Sequence, residues 1–130
     1  MDARDLLPKD IFDNSNIEKI RALTENDFSL IAYDLLEWLQ DYNWPVSNDI
    51  LQVLIDRQNL VVPYISDILA GKDIMWQYWI LELFIPNIKR EYQVLLKKDI
   101  ETLASQTEKD EDTLAVVAAA KKCLDKCFAI

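Results

Sequence analysis

The sequence predicts an all-α protein, an irregular HEAT- or armadillo-like array of about three helical hairpins, with a compact helical bundle as the alternative. Three observations predict it. The 130 residues include a single glycine, Gly71, and only four prolines, Pro8, Pro45, Pro63 and Pro86, whereas β-rich domains need many turn residues. These few breakers fall where apolar-periodic segments start or stop, so they read as junctions between helices. Within the segments, apolar side chains return every three or four positions. Hydrophobic residues make up 51% of the chain, which supports one α-helical domain over 1–130 with a core of its own.

The elements follow in order. Residues 1–15 read as an extended N-terminal arm in which Pro8 fixes the backbone. Asn16 is placed to cap a short helix over 17–23. Thr24 or Asn26 starts a longer one, carrying Phe28, Ile31, Ala32, Leu35, Leu39 and Tyr42 at helical spacing. It must stop near Asn43, because Pro45 pushes Trp44 out of the helical region. Ser47 and Asn48 are N-cap candidates for the next helix, with Ile50, Leu51, Leu54 and Ile55 on its apolar face. Pro63 is expected in the first turn of a helix that ends on Gly71. Asp73 caps the most hydrophobic segment, 74–85, which Pro86 and Asn87 break. Asn87 is expected to cap a helix bearing Ile88, Tyr92, Leu95, Leu96, Ile100 and Leu103. After a polar loop the last helix runs over 111–128, with Leu114, Val117, Ala118, Lys121 and Leu124 along one side. Paired off, these give hairpins over 26–57, 59–84 and 87–128, the spacing of α-solenoid repeats.

Charge is spread unevenly. The net charge is −9, but residues 1–50 hold 11 acids and 4 bases while residues 51–100 hold 6 of each. An acidic field in the N-terminal part repels nucleic acid and anionic lipid and draws cationic partners. The chain has no histidine, which removes the commonest general base and metal ligand. A lone glycine leaves no phosphate-cradling loop. Cys123 and Cys127, one helical turn apart, read as reduced, core-packed thiols, since a structural zinc site needs four ligands. No run is long enough to span a membrane, and the opening Met1-Asp2-Ala3-Arg4-Asp5 reads as cytoplasmic. No catalytic residue, cofactor or metal is expected.

All four tryptophans lie in two segments, Trp38-Leu39-Gln40-Asp41-Tyr42-Asn43-Trp44-Pro45-Val46 and Trp76-Gln77-Tyr78-Trp79. Indole has a large apolar body and one N–H donor, and so suits a core or a half-buried recognition surface. Asp34, Glu37 and Asp41 are spaced i, i+3, i+7 and share a helix face beside the first segment. The partner-binding candidates are therefore Asp34, Glu37, Trp38, Gln40, Asp41, Asn43, Trp44, Asp73, Trp76 and Trp79.

The residues Leu7-Pro8-Lys9-Asp10, Trp38-Leu39-Gln40-Asp41, Asn43-Trp44-Pro45-Val46 and Asp73…Trp76…Tyr78-Trp79 form a pattern. It resembles the bacterial family called domain of unknown function 5071, with its LPxD arm, WLQDxNWPV core and later D…WxYW. The resemblance covers nearly the whole chain and implies a small helical protein of HEAT or armadillo type; it implies no activity.

These readings converge on a non-enzymatic protein-interaction module, in its sharpest form an immunity- or antitoxin-type inhibitor. Its expected partner is a cationic protein, with no nucleic acid and no membrane, and the chain itself is a monomer or weak dimer. The alternative, from another class, is a small hydrolase or ligand-binding protein using a tryptophan-lined acidic cleft.

Overall fold

The structure, a computed structural model, describes residues 2–128. Helix of all kinds occupies 73% of the chain, and no strand occurs among the described residues. The contacts group into two compact units, Met1–Val61 and Val62–Ile130. The division falls within one helix.

The first unit opens with a 3-10 turn, Ala3–Leu6, where the sequence predicts extended backbone. Asp2 caps it, its Oδ1 accepting the Arg4 N–H at 2.9 Å, and Ala3 and Leu6 are buried. Burial of these two side chains against helix α2 is what coils the arm. Further along, the Asp13 carboxylate accepts the Lys9 N–H and both the N–H and hydroxyl of Ser15. The Ser15 hydroxyl above all, then the two backbone donors, hold Asp13 below the ordinary carboxylate value.

Helix α1 spans Ile17–Arg21; Asn16 stands at its N-cap but makes no side-chain cap bond. Helix α2, Glu25–Leu36, is capped by Thr24, whose Oγ1 accepts the Asp27 N–H at 3.2 Å. Its stripe of Phe28, Ile31, Ala32, Leu35 and Leu36 is wholly buried. Regular α-helix ends at Leu36, earlier than the apolar spacing predicts, and Glu37–Leu39 tighten into a 3-10 turn. The Asp41 carboxylate then accepts the Asn43 N–H at 2.9 Å, a local bond that competes with helix continuation.

Helix α3, Ser47–Asp56, packs on both α1 and α2. Its N-cap is Val46, so Ser47 lies one residue inside the position expected of it and caps nothing. Arg57 stands at the C-cap of α3. One guanidinium nitrogen donates to the carbonyls of Arg21 and Leu23, and the guanidinium carbon sits 5.2 Å from the Phe28 ring centroid. The loop between α1 and α2 is tied to the end of α3 in this way.

Helix α4, Gln58–Leu69, carries Pro63 in its interior and not in its first turn. The missing proline N–H frees the carbonyl of Asn59, and both residues are exposed, which makes the break tolerable. Gly71 follows the helix end as expected, but with no positive φ. A Cβ there would stand 3.2 Å from the Ile68 carbonyl oxygen.

In the second unit, Asp73 caps helix α5, Ile74–Trp79, by accepting the Trp76 N–H at 3.1 Å. The helix widens into a π turn, Ile80–Phe84, then tightens into a 3-10 turn, Ile85–Asn87. Pro86 is the cause, because it cannot donate to the preceding turn. Side chains answer the carbonyls left there: Asn87 Nδ2 donates to Leu83 O at 2.6 Å and Gln93 Nε2 to Ile85 O at 2.9 Å. Asn87 therefore bonds backward and does not cap helix α6, which spans Arg90–Ala104.

Helix α7, Glu111–Phe128, is the unit's centre, packing on α6, α5 and the π turn. Its buried face is Val116, Val117, Ala119, Ala120, Cys123 and Cys127, while Leu114 is exposed. The predicted face is thus rotated. Small alanine and cysteine side chains let neighbouring helices approach closely, whereas leucine and lysine spacing alone marks a different stripe.

Candidate functional site

The end of α2 and the turn after it build an open pocket of about 320 Å³ in the first unit. It is lined by Leu7, Pro8, Asp34, Glu37, Trp38, Gln40 and Trp44. Asp34 and Glu37 stand one turn apart, and Gln40 follows three residues on. The 3-10 tightening at Glu37 brings Trp38 and Trp44 together: their ring centroids are 5.6 Å apart and the planes meet at 72°, an edge-to-face arrangement that the ring quadrupoles favour. Both indoles are half-buried.

Four hydrogen bonds hold this turn to its surroundings. The fully buried Ser47 hydroxyl donates to the Trp38 carbonyl at 2.6 Å, with the Asp41 carbonyl a second acceptor at 3.1 Å. Tyr42 Oη donates to Asn48 Oδ1 at 2.6 Å. The Val46 N–H donates to the Ile11 carbonyl at 2.9 Å, which returns the N-terminal arm to the turn. Partial desolvation and then the charge of Asp49 raise the Tyr42 phenol above its ordinary value, so it stays a donor.

The electrostatics of the pocket centre on Glu37. Its carboxyl is held above the ordinary 4.5 by partial desolvation, then by the Asp34 charge, then by a hydrogen bond with Asp34. No lysine or arginine lines the pocket to offset the two carboxyls. A cation entering there would relieve their repulsion, and indole faces attract cations.

Five of the ten candidates from the sequence thus meet in one place: Asp34, Glu37, Trp38, Gln40 and Trp44. Asp41 and Asn43 do not line the pocket. Asp41 builds the turn with its carboxylate and carbonyl, and Asn43 is exposed. Asp73, Trp76 and Trp79 belong to the second unit. There Asp73 is a helix cap, Trp76 is a core side chain at 6% exposure, and Trp79 meets Tyr78 edge-to-face at 5.0 Å. Burial takes Trp76 out of the recognition set. Leu7 and Pro8 are the pocket residues missing from the candidates; their place in the LPxD pattern was the signal for them.

A second depression of about 370 Å³, lined by Gly71, Lys72, Ile74, Gln77, Gln106, Glu108 and Thr113, has no aromatic wall and sets one lysine against one glutamate. Cys123 and Cys127 are free and buried, their sulfurs 3.9 Å apart. Burial first, then Cys127, push the Cys123 thiol up to about 12, which keeps it protonated. Among the described residues no group of three or more histidine, cysteine, aspartate or glutamate side chains could hold a metal ion. No helix among them is long and apolar enough to cross a membrane.

Fold and site together define an all-helical protein with a tryptophan-walled acidic pocket in its N-terminal unit. Residues 6–124 match the model of the family described as Domain of unknown function (DUF5071), and the chain belongs to that family. The matched stretch includes every residue that lines the pocket. A comparison with curated proteins finds no match.

Proposed function

We propose that this chain is a non-enzymatic interaction module of immunity or antitoxin type, which engages a cationic protein through the pocket of Asp34, Glu37, Trp38, Gln40 and Trp44. The observation that carries the reading is the meeting of two carboxyls and two indoles in one open pocket with no basic side chain among its walls. The balance of 11 acids to 4 bases over residues 1–50 supports it, because a like-signed surface steers the opposite charge toward itself. The pocket's volume is that of a site for one side chain or small ligand.

The raised Glu37 carboxyl favours a second reading, an acid–base enzyme. Its geometry argues the other way. Carboxyls that work on a glycosidic bond flank it about 5–9.5 Å apart, whereas Asp34 and Glu37 come from one helical stretch a single turn apart and do not stand on opposite elements. No nucleophile–base pair lines the same pocket.

Titration with a short oligo-lysine peptide, followed by tryptophan fluorescence, tests the proposal. The wild type should respond and saturate, and the isosteric pair Asp34→Asn with Glu37→Gln should lose most of the affinity. Binding that survives this pair, or no response to the peptide at all, would overturn it.

A further inference from the structure

We propose that the pocket is selective for arginine: it takes the guanidinium of an arginine side chain presented by the partner protein and prefers it to lysine. The inference rests on the interaction-module reading and deepens it, since it names the group that enters.

The acceptors come first. Asp34 and Glu37 lie one turn apart on the same helical stretch, and both line the pocket. Side chains at i and i+3 share one helix face, so the two carboxylates are offered from the same side, and the Gln40 side-chain amide carries a further acceptor on the same lining. A guanidinium spreads five N–H donors in a planar fork that meets several oxygens at once, while a lysine ammonium is a compact point donor that keeps its water. The more acceptors converge, the greater the guanidinium's advantage.

The walls favour the same group. Trp38 and Trp44 line the pocket with their rings inclined at 72°, so their planes face different directions. A flat cation that is weakly hydrated stacks on an indole more readily than a solvated ammonium. Leu7 and Pro8 supply apolar surface for the methylene stem that carries the guanidinium. The molecule uses the same combination twice within itself. The Arg57 guanidinium sits by the Phe28 ring while donating to two carbonyls, and Arg90 sits 5.7 Å from the Phe128 ring centroid while donating to the Cys127 carbonyl. The Phe128 ring also takes the Lys97 ammonium at 5.2 Å, but of these three cations only the two arginines join a ring face to carbonyl acceptors. The candidate pocket sets indoles beside carboxylate and amide oxygens with no basic side chain among its lining residues.

The experiment is isothermal titration of the intact protein with four probes. Three are peptides identical except for one central residue, arginine, lysine or citrulline, and the fourth is arginine amide. The arginine peptide should bind about tenfold more tightly than the lysine peptide, and citrulline, which keeps the shape without the charge, should not bind. Asp34→Asn with Glu37→Gln should erase the arginine preference, with circular dichroism confirming that the variant folds. Equal affinity for arginine and lysine peptides would overturn the selectivity and leave the cationic-partner reading standing. No binding of either would overturn both. If arginine amide binds as tightly as the arginine peptide, the occupant is a free guanidinium compound and the protein-borne source is refuted.

Discussion

Glu37 sits where desolvation, the neighbouring Asp34 charge and a shared hydrogen bond all act in the same direction, raising its pKa above 4.5. A carboxyl with a raised native value binds its proton more tightly in the folded chain than in the unfolded one. The stability that this contributes is fully present below the ordinary value and is lost as pH rises through the native value. Glu37→Gln removes the titration, so the variant should have a higher urea midpoint than the wild type at about pH 7 and an unchanged one at about pH 4. Equal midpoints at both would show that Glu37 is not perturbed. The same residue illustrates what the sequence holds. The i, i+3 pairing of Asp34 and Glu37 and the interleaved tryptophans could be read from spacing, and both proved to be in the pocket. The i+7 partner, Asp41, was lost because the helix tightens into a 3-10 turn at Glu37, a change of period that apolar spacing does not reveal. Leu7 and Pro8 reach the pocket across more than 25 positions of chain; the LPxD pattern singles them out, but no local spacing says which segment they meet.

Among the elements, helix ends turn on buried glutamines. Gln77, only 3% exposed, sends its Nε2 toward the carbonyls of Ile68, Leu69 and Gly71 at 3.3, 3.2 and 2.9 Å. The last carbonyls of a helix have no intrahelical donor, and here a side chain from α5 supplies it to α4. Gln93 serves the Ile85 carbonyl after the proline break in the same manner. Gln77→Leu keeps the approximate volume and deletes the donor, so it should destabilise the protein by about 1–3 kcal/mol in denaturant unfolding. The exposed Gln52→Leu should stay within about 0.5 kcal/mol of wild type; equal effects would mean that the carbonyls find other partners. The helices themselves were legible because glycine and proline are so scarce between junctions. The glutamines were not, since a polar residue on an apolar face reads as a defect until the orphaned carbonyls of another segment are in view. The buried face of α7 departs from the leucine and lysine spacing for a related reason: Ala119, Ala120 and Cys123 fit close packing, and hydrophobicity undervalues them.

At the scale of the whole molecule, the decisive quantity is where the charge lies. The acids outnumber the bases by seven over residues 1–50 and balance them over residues 51–100, so the field that a cationic partner meets is strongest around the pocket-bearing unit. A long-range field acts on encounter, raising the association rate, and salt screens it over about 10 Å at 0.1 M. Asp34→Lys with Glu37→Lys reverses the charge inside the pocket; Glu101→Lys with Glu108→Lys makes the same change in net charge elsewhere on exposed positions. Asp110 is unsuitable for that control, because its carboxylate caps α7 by accepting the Thr113 N–H at 2.9 Å and is held below the ordinary value by that bond. Measured by stopped flow against a cationic partner or an arginine-rich peptide, the pocket pair should slow association about tenfold or more at low ionic strength. The control pair should slow it far less, and the difference should shrink as salt is added. If both pairs act equally, net charge alone governs encounter and the pocket has no steering role. If neither acts and salt is without effect, the two tryptophans are left to recognise the partner through apolar contact.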